Sequence, residues 1–214
     1  MALIKKVYPP GKVCSQCYRL EAEQNRIREL FELTGITGAA RRKFDIHKYK
    51  PENETQREAL NFLNTLIADG KLPEKNVILR GDTGVGKTHL SIGYAAEMVK
   101  KGFSCLYSTS VELLCQALAE KKHGMTSGSL VFRALSSSLL ILDDIGVENT
   151  IGFTGAERVQ LLYFVVDSRW YAGKPIITTT NESLNDLQPK LSDRIVSRLQ
   201  DGRVFTIEGR DHRR

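Results

Sequence analysis

No run of about 18 apolar residues occurs in this 214-residue chain, which excludes a helix that crosses a bilayer. Met1–Tyr8 contains two lysines but no apolar stretch follows them, so no secretory leader is expected and the cytoplasm is the expected compartment. Internal repeats and low-complexity segments are missing too, which excludes repeat arrays and long disordered tracts. Cysteine is scarce: four residues, which in a reducing compartment are thiols and not disulfides. Net charge is lacking over most of the chain. Residues 51–214 carry 20 basic and 20 acidic groups, whereas residues 1–50 carry 11 and 5, the whole surplus of +6. Any polyanion contact in the larger part must therefore be a local patch. What remains, 41% hydrophobic and 26% charged residues, is ordinary for one soluble α/β domain with a small appendage.

The appendage is residues 1–42. Leu20, Ile27, Leu30 and Phe31 recur at helical spacing, which predicts a helix over about 18–33 with one apolar stripe. One helix cannot bury its own stripe, so the stripe must meet the rest of the chain, a second copy or a partner. Residues 43–214 then alternate. Helices are expected over 53–68, 87–100 and 111–134, the last interrupted near Gly124 and Gly128. Short apolar strands are expected at 77–79, 103–107, 139–142, 176–180 and 204–207. Five such strands joined by helical crossovers imply a mostly parallel sheet covered on both faces.

Gly81-Asp82-Thr83-Gly84-Val85-Gly86-Lys87-Thr88 fits the phosphate-binding pattern G-x-x-x-x-G-K-[ST], directly after a strand and directly before a helix. Glycines let backbone N–H groups turn inward around a phosphate, and the helix presents its positive end to the same anion. Lys87 is expected to neutralise β- and γ-oxygens of ATP, and Thr88 to ligate Mg²⁺. Leu139–Leu142 is followed by Asp143 and Asp144 at the strand tip, where parallel sheets place ligand crevices. Asp143 is expected to hold Mg²⁺ through water and Asp144 to orient or deprotonate the attacking water. Asn181 ends the strand Ile176–Thr180; it could bond the γ-phosphate or the water, or simply start a turn. Arg194 and Arg198 lie four apart on one helical face, and could be surface charges or supply a finger to a neighbouring subunit's phosphate. Cys14-x-x-Cys17 has half the spacing of a zinc knuckle, with no second pair nearby, which leaves inert thiols or a zinc site shared between chains.

The run Gly86-Lys87-Thr88-His89-Leu90, the strand end Asp143-Asp144-Ile145-Gly146, the tip Thr180-Asn181, the box Ser197-Arg198-Leu199 and the terminal Glu208-Gly209-Arg210 resemble the AAA+ ATPases of the DnaC/IstB group over about residues 43–214. The resemblance implies a sheet ordered 5-1-4-3-2, no helical lid after the fifth strand, and ATP-dependent assembly of identical subunits. It implies His89 within the nucleotide loop, Asn181 as the residue sensing the γ-phosphate, Arg198 as the finger with Arg194 second, and residues 44–49 near the adenine. It further implies single-stranded DNA contacts at Lys121, Lys122 and Arg133. Asp144 departs from the glutamate more usual in the group, and its shorter arm predicts slow turnover.

Three functions are compatible with this reading. The first is an ATP-driven loader that binds a replicative hexameric helicase through residues 1–42 and delivers it to single-stranded DNA. The second is a transposition helper that binds duplex DNA. The third is a small-molecule P-loop kinase, which would need an acceptor pocket and a mobile lid; residues 108–138 show no basic lid signature, and a kinase leaves Arg198 without a role. None of the three involves a membrane.

Overall fold

The computed structural model describes residues 15–123, 126, 128–146 and 155–212. Five strands, β1 (Val77–Arg80), β2 (Cys105–Thr109), β3 (Leu139–Asp143), β4 (Ile176–Thr180) and β5 (Arg203–Thr206), form one sheet in the order β2-β3-β4-β1-β5, all pairs parallel. Counted from the β5 edge this is the expected 5-1-4-3-2. Alternate side chains enter two separate cores. Val77, Leu79, Leu139, Ile141 and Ile177 pack against α3 (Glu54–Asp69) and α4 (Lys87–Lys100). Ile78, Leu140, Leu142 and Ile176 pack on the opposite face, against α5 (Ser110–His123), α6 (Leu130–Ser136), α7 (Gly155–Tyr171), α8 (Leu184–Leu191) and α9 (Asp193–Gln200). Both faces of β3 and β4 are covered, which is why their sequences read as unbroken apolar or threonine runs.

Local chemistry sets the helix limits. Asn53 accepts from the Gln56 N–H to start α3, and Gly70, in the left-handed region at φ 65, ends it. The interruption expected within 111–134 separates α5 from α6: Ser129 accepts from the Phe132 N–H and restarts the chain as α6. β2 begins two residues later than expected because Lys101 and Gly102 fold back on the last turn of α4, and the Phe103 N–H is still bonded to Met98 O. β5 is shifted one residue earlier. Among the described residues no helix is long and apolar enough to cross a membrane.

The N-terminal stripe is divided. α1 (Ser15–Glu32) sends Leu30 and Phe31 into the core under α4, and Ile36 behind it is buried. The Tyr107 N–H on edge strand β2 donates to Thr34 O at 2.8 Å, which fixes the segment after α1 to the sheet. Leu20, on the outer half of α1, is 41% exposed.

Candidate nucleotide site

The glycine-rich turn joins β1 to α4 at the C-terminal edge of the sheet. Gly86 has φ 101, and a Cβ there would lie 2.5 Å from the Tyr49 ring, so the turn requires glycine on both counts. No side chain caps the start of α4, which leaves its first-turn N–H groups for an anion. Lys87, only 5% exposed, donates to Gly81 O (2.8 Å), Asp82 O (2.7 Å) and Asn181 Oδ1 (2.7 Å). That last bond joins the turn to the tip of β4 across 94 residues of sequence. The amide and the ammonium are thus in one place, as an Asn that touches the phosphate region requires.

Thr88 Oγ1 donates to both oxygens of Asp143, at 3.1 and 3.2 Å. The carboxylate, 3% exposed, also accepts from Thr179 Oγ1 (2.6 Å) and the Tyr107 hydroxyl (2.8 Å). Burial and the Asp143 charge push the Tyr107 hydroxyl well above its ordinary pKa, so it stays a donor. Asp144 turns out of the strand in the left-handed region at φ 55. Its N–H donates to Thr179 Oγ1 (2.9 Å) and its carbonyl accepts from Ser110 Oγ (2.9 Å).

A cavity of about 410 Å³ opens between these groups and the segment before α3, lined by Phe44, Thr83, Thr88, His89, Asp144 and Asn181 among others. His89 Nε2 donates to Asp45 O at 2.8 Å, and its ring meets Phe44 and Tyr49 edge-on. Tyr49 donates to Val85 O at 3.2 Å, and burial, with the Glu52 charge second, raises its pKa to about 12. The end of the described chain also arrives here: the His212 N–H donates to Gly84 O at 3.3 Å, and Arg210 is held by Glu52 at 2.6 Å. An all-oxygen pair from Thr88 and Asp143 beside a phosphate-type turn fits a hard divalent cation such as Mg²⁺.

Other expected residues lie elsewhere. Arg198 sits at the opposite edge of the sheet: Asn76, which precedes β1, donates to its carbonyl at 2.8 Å. Its Nε donates to Asp167 Oδ1 (3.1 Å) and its guanidinium lies 3.7 Å over the Trp170 ring. It therefore serves no phosphate on its own chain. Arg194 is exposed and borders a groove between α7 and α8. Arg133 is bonded to Leu33 O at the end of α1. Cys14, and the side chains of Cys17, Lys121 and Lys122, lie outside what is described; among the described residues, no cluster of three His, Cys, Asp or Glu could hold a metal. Sequence reasoning missed Thr179 and Tyr107. The three threonines in a buried strand were the available signal for the first, since buried hydroxyls need partners.

A P-loop after β1, two aspartates at the tip of β3 and a polar amide at the tip of β4, on a 5-1-4-3-2 parallel sheet, define the AAA+ P-loop class. The chain belongs to the IstB-like ATP binding protein family, whose model matches residues 21–205. It is 24% identical over 198 residues to the replicative helicase loader DnaC of Escherichia coli strain K12, covering 92% of this chain and 79% of the relative. It is also 24% identical over 202 residues to the putative ATP-binding protein of insertion sequence IS5376 from Geobacillus stearothermophilus, covering 91% and 76%. The crystal structure of the DnaC helicase loader superposes with a TM-score of 0.68 at 24% identity, over 78% of this chain and 97% of that one.

Proposed function

We propose that the protein is an ATP-hydrolysing assembly factor that binds a replicative hexameric DNA helicase and helps deliver it to single-stranded DNA. The contact between Lys87 and Asn181 carries the reading, because it makes one polar group on β4 report what occupies the P-loop. In this scheme ATP lies along Gly81–Thr88 and Thr88 with Asp143 holds Mg²⁺, which would neutralise phosphate charge. Lys87 exchanges its carbonyl partners for β- and γ-oxygens, and Asp144 accepts the proton of the attacking water. Asn181, released from Lys87, turns to the γ-phosphate. Arg198 leaves Asp167 to reach a neighbouring subunit, which makes hydrolysis dependent on assembly. Residues 1–42 form the partner-binding unit, with the exposed outer half of α1 as the contact; Phe31 is half-buried beneath Arg41, whose guanidinium stands 4.1 Å over its ring.

A second reading, the transposition helper that binds duplex DNA, is supported by the IS5376 relative, which matches at the same identity as the loader. The concentration of positive charge in the first fifty residues favours the loader, because it places partner choice outside the ATPase body. The deciding experiment is a pull-down of the host's replicative helicase by the intact chain, with and without ATP, beside Leu20→Asp. Capture that requires ATP and is weakened at least tenfold by Leu20→Asp supports loading. No capture in any condition removes it and leaves the helper, tested by duplex against single-stranded DNA binding.

A further inference from the structure

Thr179 has not entered the scheme above, yet it occupies the point where the two aspartates of β3 part. Its side chain is fully buried. Its hydroxyl makes two bonds of opposite sense, donating to Asp143 Oδ1 at 2.6 Å and accepting from the Asp144 N–H at 2.9 Å. With both the hydrogen and a lone pair committed, the rotor is fixed. The Thr179 carbonyl also accepts from the Ile145 N–H at 2.9 Å. The chain leaving β3 is thus hung on one residue of β4 through three successive positions.

The two bonds act on different carboxylates. On Asp143, Thr179 occupies one oxygen and the Tyr107 hydroxyl, at 2.8 Å, occupies the other, so the plane of the carboxylate is set from two neighbouring strands. The lone pairs left over face Thr88. On Asp144 the bond is to the backbone and pins a non-glycine residue at φ 55, where an L-residue is held only by its surroundings. Two residues after Thr179, just past the end of β4, Asn181 meets Lys87. A movement of the β4 tip is therefore passed to the metal-side carboxylate and to the base together.

We propose that Thr179 is a positioning residue for hydrolysis, holding Asp143 and Asp144 in fixed relation, with Tyr107 as the second clamp on Asp143. The inference rests on the reading of Asp143 and Asp144 given above. It makes Thr179 act through others, touching neither nucleotide nor water.

The test is Thr179→Val, which keeps shape and removes the hydroxyl, with Thr179→Ser as the conservative restoration and Tyr107→Phe as the second clamp. ATP turnover is measured at varied ATP and varied Mg²⁺. Binding of a fluorescent ATP analogue across a Mg²⁺ titration supplies a readout independent of turnover, and thermal unfolding midpoints are measured beside them. The expected result for Thr179→Val is a fall in kcat of at least tenfold with KM for ATP changed less than twofold. The Mg²⁺ concentration for half-maximal analogue binding should rise severalfold. Thr179→Ser should return both to within about threefold of wild type, and Tyr107→Phe should shift the Mg²⁺ midpoint in the same direction by less. Wild-type kcat and Mg²⁺ midpoint in Thr179→Val overturn the inference. So does a Ser variant as impaired as Val, which would mean that packing and not the hydroxyl matters. If the wild-type protein hydrolyses no ATP, the hydrolysis reading falls by itself; an unshifted Mg²⁺ midpoint in Thr179→Val then overturns this inference separately, and a shifted one retains the clamp on Asp143.

Discussion

Lys87 and Arg169 are both cations buried at the edges of the same sheet, and both are held by main-chain carbonyls, yet they do opposite things. Lys87 lies at the C-terminal edge beside a cavity, and its partners are the turn carbonyls and one side-chain amide. Arg169 lies at the N-terminal edge and is completely buried. It donates to Ala134 O (2.6 Å) and Ser137 O (2.9 Å) at the end of α6, and to Pro175 O (2.9 Å) ahead of β4. Burial lowers its pKa to about 10, which still leaves it charged at neutral pH. The carbonyls that hold Arg169 belong to the helix and strand ends packed around it, and that of Pro175 also accepts from the Leu140 N–H, so they keep it. Those that hold Lys87 border a space where a stronger acceptor can replace them. A buried cation is a device or a rivet according to whether its partners can be exchanged.

The most severe way to break this comparison is at the rivet. Arg169→Met takes the guanidinium donor from the carbonyls of Ala134 and Ser137 and leaves that of Pro175 only the Leu140 N–H at 3.3 Å, all in a buried site, at a cost of about 3–4 kcal/mol. Urea unfolding should show that loss, and the variant should bind nucleotide poorly only because it is partly unfolded. Retained stability would mean that water takes over those carbonyls. At the device the expected effect is the reverse. Lys87→Ala should abolish detectable ATP binding, roughly a hundredfold or more in affinity for a lost charge-assisted phosphate contact, while the urea midpoint moves little. Titration calorimetry and unfolding on the same sample separate the two outcomes.

A third cation, Arg198, stands between these cases. It is tied to Asp167 and stacked on Trp170, at the edge where Arg169 lies, yet part of its side chain reaches solvent. If its partners are exchangeable it acts on a neighbour. Arg198→Ala should then bind ATP as wild type does but hydrolyse at least tenfold more slowly, and mixing it with Lys87→Ala should restore part of the activity, since each supplies what the other lacks. No restoration in the mixture places Arg198 with Arg169, as a structural residue.

The contrast also explains what could be read from the sequence. Lys87, Thr88, Asp143 and Asn181 were legible because each stands at a strand end or helix start, where the local pattern assigns position and the chemistry assigns purpose. The sheet order was legible only through the resemblance to the DnaC/IstB group, since five short apolar strands are compatible with several orders. Arg169 was not legible at all: one arginine within the long 155–171 helix carries no mark of burial, and its partners come from two separate stretches of the chain, 134–138 and Pro175. Thr179 and Tyr107 were hidden for the same reason, as their bonds to Asp143 span 36 residues each. The split of the α1 stripe depended on Thr34 pairing with an edge strand more than seventy residues away.

Thiol labelling reads the N-terminal edge of the sheet directly. Cys105 is buried near Arg169, and burial raises its thiol to about 12 despite the opposing pull of that cation, whereas Cys115 is exposed. A raised thiol pKa makes the reactive thiolate rare below it, so at pH 8 only about one Cys105 in ten thousand would be ionised. Peptide mapping after iodoacetamide should find Cys115 modified at least a hundredfold faster than Cys105 in the folded protein. Lys87→Ala should leave that ratio intact, because emptying the device of its cation does not open the far edge. Arg169→Met should raise Cys105 labelling in step with its loss of stability; protection that survives in Arg169→Met would show that the apolar core, and not the rivet, keeps the N-terminal edge closed.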